Sequence, residues 1–287
     1  MKRGITDIIG AYRGSTPINK IMRDITLIWE KAGGGIYLLD TYPAAVAWSL
    51  RKLSGGYAGA AIRVRRSSDD LEQDIGFDGN DLDTTSLLSF IGAGNGFVTT
   101  IYDQAGAGLN FTQTNPLRQG RIVNSGALNT KNGKPIILKS VDPDGGYIST
   151  YAPNDGVVDK GVFYIGANGG NPSIILGSKN VQDYYYAAQS GSSSTALSGN
   201  VIYSQERING ATSSYTTRDD LYTDTLNQFL LSNNTDFGFD DNSLALGYEF
   251  LTTRPFGMYS FQELIIFDNT TDHLDKETKI NSYYAIY

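Results

Sequence analysis

The sequence predicts an all-β protein, a β-sandwich with a few short helices. The chain has 287 residues and 33 glycines. Short runs rich in Val, Ile and aromatic residues recur along it, with clusters of Gly, Asn, Asp and Ser between them. Many short strands separated by turn residues are typical of two antiparallel sheets packed face to face. A chain of this length buries enough surface to form a substantial core.

Seven runs are predicted to be strands because β-branched and aromatic residues dominate them. They are residues 60–65, 97–102, 161–165, 173–176, 229–231, 243–246 and 261–267. In the first run, Arg63 and Arg65 alternate with Ile62 and Val64. Strand side chains alternate between faces, so these arginines are expected on the solvent face of a strand.

Three segments are predicted to be helical. Residues 43–53 begin with a proline suited to a first helical turn and place apolar residues at helical spacing. Residues 84–91 carry three apolar residues that fit a short helix. The last helix is expected to start after Asp272 as N-cap, with His273 as an ordinary surface residue in its first turn.

The first 32 residues contain a short internal echo. Arg13 and Thr16 recur ten residues later as Arg23 and Thr26, with turn-forming residues between each pair. We interpret residues 1–32 as an attachment segment, joined by three glycines to a main domain spanning 33–287. The alternative is that they supply the first strands of that domain. The residues expected to make the attachment are Tyr12, Arg13, Ile18, Ile25 and Trp29.

Composition excludes several kinds of site. The chain has no Cys and one His, so thiolate metal sites, disulfides and three-histidine zinc sites cannot form. A net charge of −7 argues against nucleic acid as a ligand, and no apolar run is long enough to span a membrane. No cofactor is expected. Calcium is considered for the acids between Asp69 and Asp83, but a solvated loop is the preferred interpretation there.

One block of residues resembles a known module. A module of bacteriophage tail, fibre and other virion proteins resembles, in this order, residues 48–53, 57–70, 74–77, 101–108, 112–113, 121–124 and 133–135. The same block is similar to the catalytic domain of the α-L-arabinofuranosidase B family. The final stretch, 261–287, resembles the end of laminin-G-like sandwiches. These resemblances imply a concanavalin A-like jelly roll.

The resemblance leaves a choice between an enzyme and a structural adhesin. The arabinofuranosidase family carries an adjacent cysteine pair at its site, and this chain has none. We therefore expect a non-enzymatic tail or fibre protein of the virion. It would attach to other virion proteins, bind a host glycan or surface protein, and form a homo-oligomer, with a trimer as the expectation from the resemblance. The alternatives are a capsid head fibre or decoration protein and an arabinofuranosidase-type glycoside hydrolase, for which Glu249 lies near the right region. Glu263 is expected to be a structural acid.

Four residues are predicted to contact a carbohydrate or receptor. Tyr184, Tyr186 and Tyr248 are aromatic residues near the expected rim, where rings can stack on a ligand. Burial in the core is the alternative for them. Asp103 follows a strand and precedes a Gly-rich turn, and there the preferred interpretation is that its carboxylate organises the turn. Asp142 to Gly146 is most simply a turn.

Overall fold

The computed structural model describes the sandwich and parts of the segment before it. The described residues are 11–13, 16–18, 20–23, 26–30, 37–139, 146–152, 159–167, 173–178, 184–188, 191–193, 201–212, 217–224, 227–237, 243–247, 257–258 and 260–287. For the strands before residue 37, and for 184–188 and 201–206, the description covers the backbone alone.

The described residues form short strands and four helices. The first strands are β1 (Ala11–Arg13), β2 (Thr16–Ile18), β3 (Lys20–Arg23), β4 (Thr26–Glu30), β5 (Val46–Ser49), β6 (Ile62–Arg66), β7 (Glu72–Ile75), β8 (Phe77–Asp78) and β9 (Asp81–Leu82). The middle strands are β10 (Gly96–Ile101), β11 (Phe111–Thr112), β12 (Arg121–Asn124), β13 (Ala127–Leu128), β14 (Thr130–Lys131), β15 (Lys134–Pro135), β16 (Tyr147–Ser149), β17 (Lys160–Ala167) and β18 (Ser173–Ser178). The last strands are β19 (Tyr184–Ala188), β20 (Val201–Ile208), β21 (Ala211–Thr212), β22 (Gln228–Phe237), β23 (Leu244–Leu246), β24 (Gly257–Met258) and β25 (Ser260–Phe267). The helices are α1 (Leu38–Thr41), α2 (Thr84–Ile91), α3 (Arg218–Asp224) and α4 (His273–Tyr284), with a 3₁₀ turn at Pro116–Arg118.

Two large sheets make up the sandwich. One has six strands in the order β21-β20-β22-β17-β25-β5. The other has eleven strands, with β13-β12-β10-β11-β16-β23-β18-β19 as its main path and β6, β7 and β24 branching from it. Apart from the parallel pair β18–β24, the pairs within these two sheets are antiparallel. The predicted all-β sandwich is confirmed.

The core lies in two layers, one on each face of the six-stranded sheet. The inner core fills the space between the sheets, where Trp48, Tyr164 and Leu231 of one sheet meet Leu246 and Val98 of the other. The outer core lies between the six-stranded sheet and helices α1 and α4. Its members include Phe163, Ile165, Leu230, Ile265, Ile280 and Tyr284. Strand alternation divides β17 between the layers, since Val162 and Tyr164 face inward while Phe163 and Ile165 face the helices.

Backbone bridges tie the two sheets together along the β5 side. Trp48 of β5 pairs with Asp103, which follows β10 of the other sheet. Ile137 pairs with Phe261 of the six-stranded sheet, and the adjacent Leu138 pairs with Arg121 of the eleven-stranded one. This side of the sandwich is therefore closed, whereas β21 and β19 lie at the far ends of the two strand orders.

Most predicted elements lie where the sequence pattern puts them. The seven predicted runs correspond to β6, β10, β17, β18, β22, β23 and β25. Helix α2 spans the predicted residues, with the Asp83 carboxylate accepting the Ser86 backbone N–H at 2.9 Å. As predicted, Arg63 is exposed while Ile62 and Val64 are buried. None of the described helices is long and apolar enough to cross a membrane.

The helix predicted over 43–53 is wrong. These residues contain β5, which pairs antiparallel with β25 from Ser49↔Glu263 to Val46↔Ile266. All four residues of β5 are buried because one face meets the inner core and the other the outer core. Burial on both faces removes the alternation that marks a strand, and the apolar spacing then matches a helix by coincidence.

The start of the last helix also differs from expectation. Helix α4 begins at His273 as predicted, but Asp272 has φ 55° and its side chain makes no capping hydrogen bond. His273 is 7% exposed rather than a surface residue, because it lies on the helix face that packs on the six-stranded sheet.

The sequence echo near the N-terminus corresponds to two consecutive hairpins. Strands β1 and β2 pair with Arg13 opposite Thr16, and β3 and β4 pair with Arg23 opposite Thr26. Each hairpin is a two-stranded sheet of its own. Of the predicted attachment residues, Tyr12, Arg13, Ile18 and Trp29 belong to these strands, and Ile25 lies outside the described residues. The division into 1–32 and 33–287 stays a prediction.

Candidate active site

The turn after β10 is organised by the carboxylate of Asp103. Its Oδ1 accepts the backbone N–H of Ala47 at 3.0 Å and of Ala105 at 2.9 Å, and its Oδ2 accepts that of Ala107 at 3.0 Å. The residue is 3% exposed. Asp103 thus holds the Gly-rich turn and ties it to β5, as the preferred interpretation of the sequence has it. The sugar contact also predicted for Asp103 stays a prediction, while both of its oxygens accept backbone N–H groups inside the protein.

The next residue, Gln104, joins the same turn to the chain after β5. Its Nε2 donates to the carbonyl oxygens of Ser49 and Arg51, each at 3.0 Å, and its Oε1 accepts the N–H of Leu53 at 2.9 Å. The amide satisfies backbone groups that would otherwise be buried without partners. The Asp-Gln pair of the sequence block is therefore part of the framework.

A fully buried carboxylate lies beneath helix α4. Glu263 of β25 accepts two hydrogen bonds from the Arg51 guanidinium, at 2.7 and 2.9 Å, one from Ser49 Oγ at 2.7 Å and one from the Tyr284 hydroxyl at 3.2 Å. Burial, followed by the charge of Glu263, holds the pKa of Tyr284 well above its usual range. With its oxygens occupied and no exposed surface, Glu263 is a structural acid, as expected.

A second buried carboxylate, Glu277 of α4, lies over the other end of the same sheet. It accepts Arg207 Nε at 2.9 Å and Ser232 Oγ at 3.0 Å. Ser232 Oγ is also 3.1 Å from Nε2 of His273. This cluster joins α4 to β20 and β22.

The acidic residues considered for calcium include three that form ion pairs with arginines and one, Asp83, that caps helix α2. Asp69 and Asp70 pair with Arg66 and Arg65, and Asp74 pairs with Arg63 at 2.8 Å. The Arg66 hydrogen bond lowers the pKa of Asp69 to about 2. Among the side chains described, no group of three or more His, Asp or Glu residues could hold a metal ion. Asp142 and Asp144 lie outside the described residues.

The predicted aromatic contact residues are described only in part. Tyr185 of β19 pairs with Leu176, an inner-core residue, and Tyr184 pairs with Gly177. The side chains of β19, those of Tyr184 and Tyr186 among them, lie outside the described part of the chain. Tyr248 lies outside the described residues. Carbohydrate or receptor contact by these tyrosines stays a prediction, as do the partner, oligomer and calcium predictions.

Three of the glutamates, Glu30, Glu206 and Glu249, have side chains that lie outside the described part of the chain. The six glutamates of the chain are Glu30, Glu72, Glu206, Glu249, Glu263 and Glu277. Glu206 belongs to β20 and pairs across the sheet with Asn233, a fully buried residue of β22. It lies two positions before Ile208, which packs in the inner core. Glu249 follows β23 of the opposing sheet and lies outside the described residues.

Comparison with known proteins links the sandwich to arabinofuranosidases. Residues 34–162 match the family model described as the alpha-L-arabinofuranosidase B catalytic domain. No curated protein matches the chain.

Solved structures of similar fold come from the same class of enzyme. A glycoside hydrolase family 54 α-L-arabinofuranosidase soaked with a cyclic sulfate inhibitor superimposes with a TM-score of 0.54 at 17% identity. A Glu-to-Gln mutant of a family 54 arabinofuranosidase soaked with 4-nitrophenyl α-L-arabinofuranoside gives 0.53, as does an arabinofuranosidase complexed with arabinofuranosyl-α-1,2-xylobiose, both at 17% identity. Each match covers 88% of this chain, which spans 64% of the length of each relative. At this identity the likeness establishes the fold.

These findings overturn the expected function. The expectation of a non-enzymatic virion protein, either a tail or fibre adhesin or a head fibre, is wrong, since the matches are to a catalytic domain and to arabinofuranosidases. The missing cysteine pair misled the inference. Glycoside hydrolysis is carried out by carboxylates, so the absence of cysteine does not exclude this reaction.

Proposed function

We propose that this protein is a glycoside hydrolase of the α-L-arabinofuranosidase type. The observation that carries the proposal is the match of residues 34–162 to the catalytic-domain family model. The likeness of fold to arabinofuranosidases over 88% of the chain supports it. The substrate class is an α-L-arabinofuranoside, the kind of compound named in two of the solved relatives.

The reaction needs two carboxyl groups flanking the scissile bond. One donates a proton to the leaving oxygen. The other attacks the anomeric carbon or activates a water, and a separation of about 5–5.5 Å gives retention while about 6.5–9.5 Å gives inversion. We infer that Glu206 and Glu249 are this pair.

Among the glutamates, the positions of the other four favour Glu206 and Glu249. Glu263 and Glu277 are buried in ion pairs beneath α4. Glu72 lies on the exposed edge strand β7, beside Arg63. Glu30 belongs to β4, which forms a two-stranded sheet with β3 outside the two large sheets of the sandwich. Glu206 belongs to β20 of one sheet, and Glu249 follows β23 of the other sheet in the sequence.

Neighbouring residues favour a polar environment at Glu206. Its cross-strand partner Asn233 is fully buried, and Asn233 Oδ1 accepts the backbone N–H of Arg207 at 3.4 Å. A buried polar side chain facing the inter-sheet side is unusual in an otherwise apolar layer and points to a polar site nearby. Arg207 is directed to the opposite face, where it pairs with Glu277.

The test is release of 4-nitrophenol from 4-nitrophenyl α-L-arabinofuranoside. Glu206→Gln and Glu249→Gln are each expected to lower kcat/KM by about 10²–10⁴-fold or more, with unchanged unfolding curves, because loss of a positioned acid or base removes that much catalysis. The matched control is Glu72→Gln, an exposed glutamate that should leave activity unchanged. ¹H NMR of the first-formed sugar anomer would then distinguish retention from inversion.

Two results would contradict the proposal. One is the absence of hydrolysis by the wild-type protein on a panel of aryl arabinofuranosides and arabinose-containing polysaccharides. The other is full activity in either glutamine variant. That result would refute the assignment of the two glutamates but not the proposed activity.

A further inference from the structure

The one histidine of the chain is built into the interface between α4 and the six-stranded sheet. His273 opens α4 and is 7% exposed. Its ring lies 4.7 Å from the ring of Phe163 of β17, tilted by 32°. A buried imidazole on a helix terminus can couple protonation to docking of that helix.

Hydrogen bonding fixes the protonation state of this imidazole. Glu277 is paired with Arg207 and can only accept, so the Ser232 hydroxyl donates its proton to Glu277 Oε1 at 3.0 Å. The Ser232 oxygen must then accept from His273, and Nε2, at 3.1 Å, carries the ring proton. Nδ1 is left as a bare acceptor, buried and without a hydrogen-bond partner among the described residues.

A second proton on Nδ1 would have no acceptor and unfavourable neighbours. Burial first, and then the charges of Arg207 and Lys276, lower the pKa of His273 to about 4. Lys276 is held nearby, since its Nζ donates to Thr271 O at 2.7 Å and Asn269 Oδ1 at 3.0 Å. The other charged and titratable groups on this helix end and on the elements packed against it are Glu277, Asp272 and Asp275 of the helix end, Arg207 of β20, Lys160 of β17 paired with Asp268, and Tyr42, whose ring lies 5.5 Å from Lys276 Nζ.

We propose that the N-terminal half of α4 is a latch that is released by acid. Protonation of His273 detaches this half of the helix from β20 and β22, while the inner core between the two sheets stays folded. The C-terminal half keeps separate anchors, because Tyr284 bonds to Glu263 and Ile280 packs in the outer core. Release therefore starts at residue 273. The proposal is independent of any catalytic activity.

Because protonation of His273 and release of α4 are thermodynamically linked, the difference in the His273 pKa between the docked and released helix sets the pH dependence of release. A histidine with a lowered pKa stabilises the docked helix while it is neutral, and this contribution is lost as the pH falls from about 6.5 toward about 4. Taking these two values for the released and docked states, the opening equilibrium constant is about twenty-fold larger at pH 5 than at pH 7.

The first test is an NMR titration of the wild-type protein, made simple because the chain has one histidine. The imidazole ¹⁵N shifts are expected to report the Nε2–H tautomer at pH 7, with no titration near pH 6.5. An imidazole that titrates near 6.5 in the folded protein, or that carries its proton on Nδ1, would overturn the proposal.

The second test is hydrogen exchange, corrected for the intrinsic pH dependence of the amides. Exchange of residues 276–278 should rise about twenty-fold from pH 7 to pH 5, while β17 stays protected. In His273→Gln, which keeps a donor for Ser232 but cannot titrate, this rise should vanish, whereas Lys279→Gln on the exposed face of α4 should retain it. An unchanged rise in His273→Gln, or equal protection of α4 at both pH values in the wild type, would contradict the latch.

Discussion

Replacing Glu263 by glutamine tests the claim that this carboxylate is structural. Glutamine keeps the size and one oxygen of the side chain. It removes the negative charge and points an NH₂ group at a site lined with donors, namely Arg51, Ser49 and Tyr284. Burial alone would lower the pKa of Arg51, but the charge and hydrogen bonds of Glu263 raise it overall. In the variant, Arg51 is therefore a buried cation without its counter-charge.

The expected loss is large for an isosteric change. Removing one partner of a buried ion pair costs about 3–5 kcal/mol, most of it the cost of the uncompensated charge. Arg51→Met should lose a similar amount, since it leaves a buried carboxylate. The two changes share one interaction, so the double variant should lose at least about 2 kcal/mol less than the sum of the single variants.

Urea unfolding at pH 7, followed by both far-UV circular dichroism and tryptophan fluorescence, measures these free energies. Lys279→Gln is the matched control, because its pair with Asp275, at 3.8 Å, is exposed and should be worth less than about 1 kcal/mol. A loss below about 1 kcal/mol in Glu263→Gln, or strict additivity in the double variant, would refute the reasoning.

Two further predictions concern the framework around the proposed site. Asp103→Asn is expected to lower the free energy of unfolding by about 1–3 kcal/mol. Asparagine replaces one of the two accepting oxygens by an NH₂ group, so a backbone donor such as the Ala107 N–H loses its acceptor. If Asp103 instead contacts sugar, substrate KM would rise with stability unchanged. Gly166→Ala should destabilise by about 1–3 kcal/mol, since its Cβ would overlap the Ser260 carbonyl oxygen, while Gly76→Ala, with open space at its Cβ, should not. Equal unfolding midpoints for the two alanine variants would show that β17 and β25 can separate freely.

The sequence pattern predicts an element correctly where the residues of that element, or those next to it, are enough to define it. Strand β6 alternates exposed and buried residues, so its face to solvent can be predicted from Arg63 and Ile62 alone. Helix α2 carries its own cap, Asp83, and needs no distant contact to define its start. The role of Asp103 was also predictable, because its partners Ala105 and Ala107 lie within four residues.

The active-site inference shows a limit of composition. Absence of cysteine excludes thiol chemistry, but it does not decide whether two carboxylates from different sheets approach one bond. Glu206, which we propose as one of the pair, cannot be singled out from the sequence because a single glutamate within a strand carries no motif. Only its pairing with buried Asn233 sets it apart.

By itself, the sequence determined that the protein is a sandwich of short strands, and it located most of them. Only the tertiary structure decided that Val46–Ser49 is a strand and that His273 is buried. Both depend on layers formed by residues more than forty positions away: β25 pairs with β5, and β20 and β22 receive α4. Spacing along the chain records which faces of an element are apolar. It does not record that a second layer covers the other face, and that second layer turns an apparent helix into a strand and a surface histidine into a buried one.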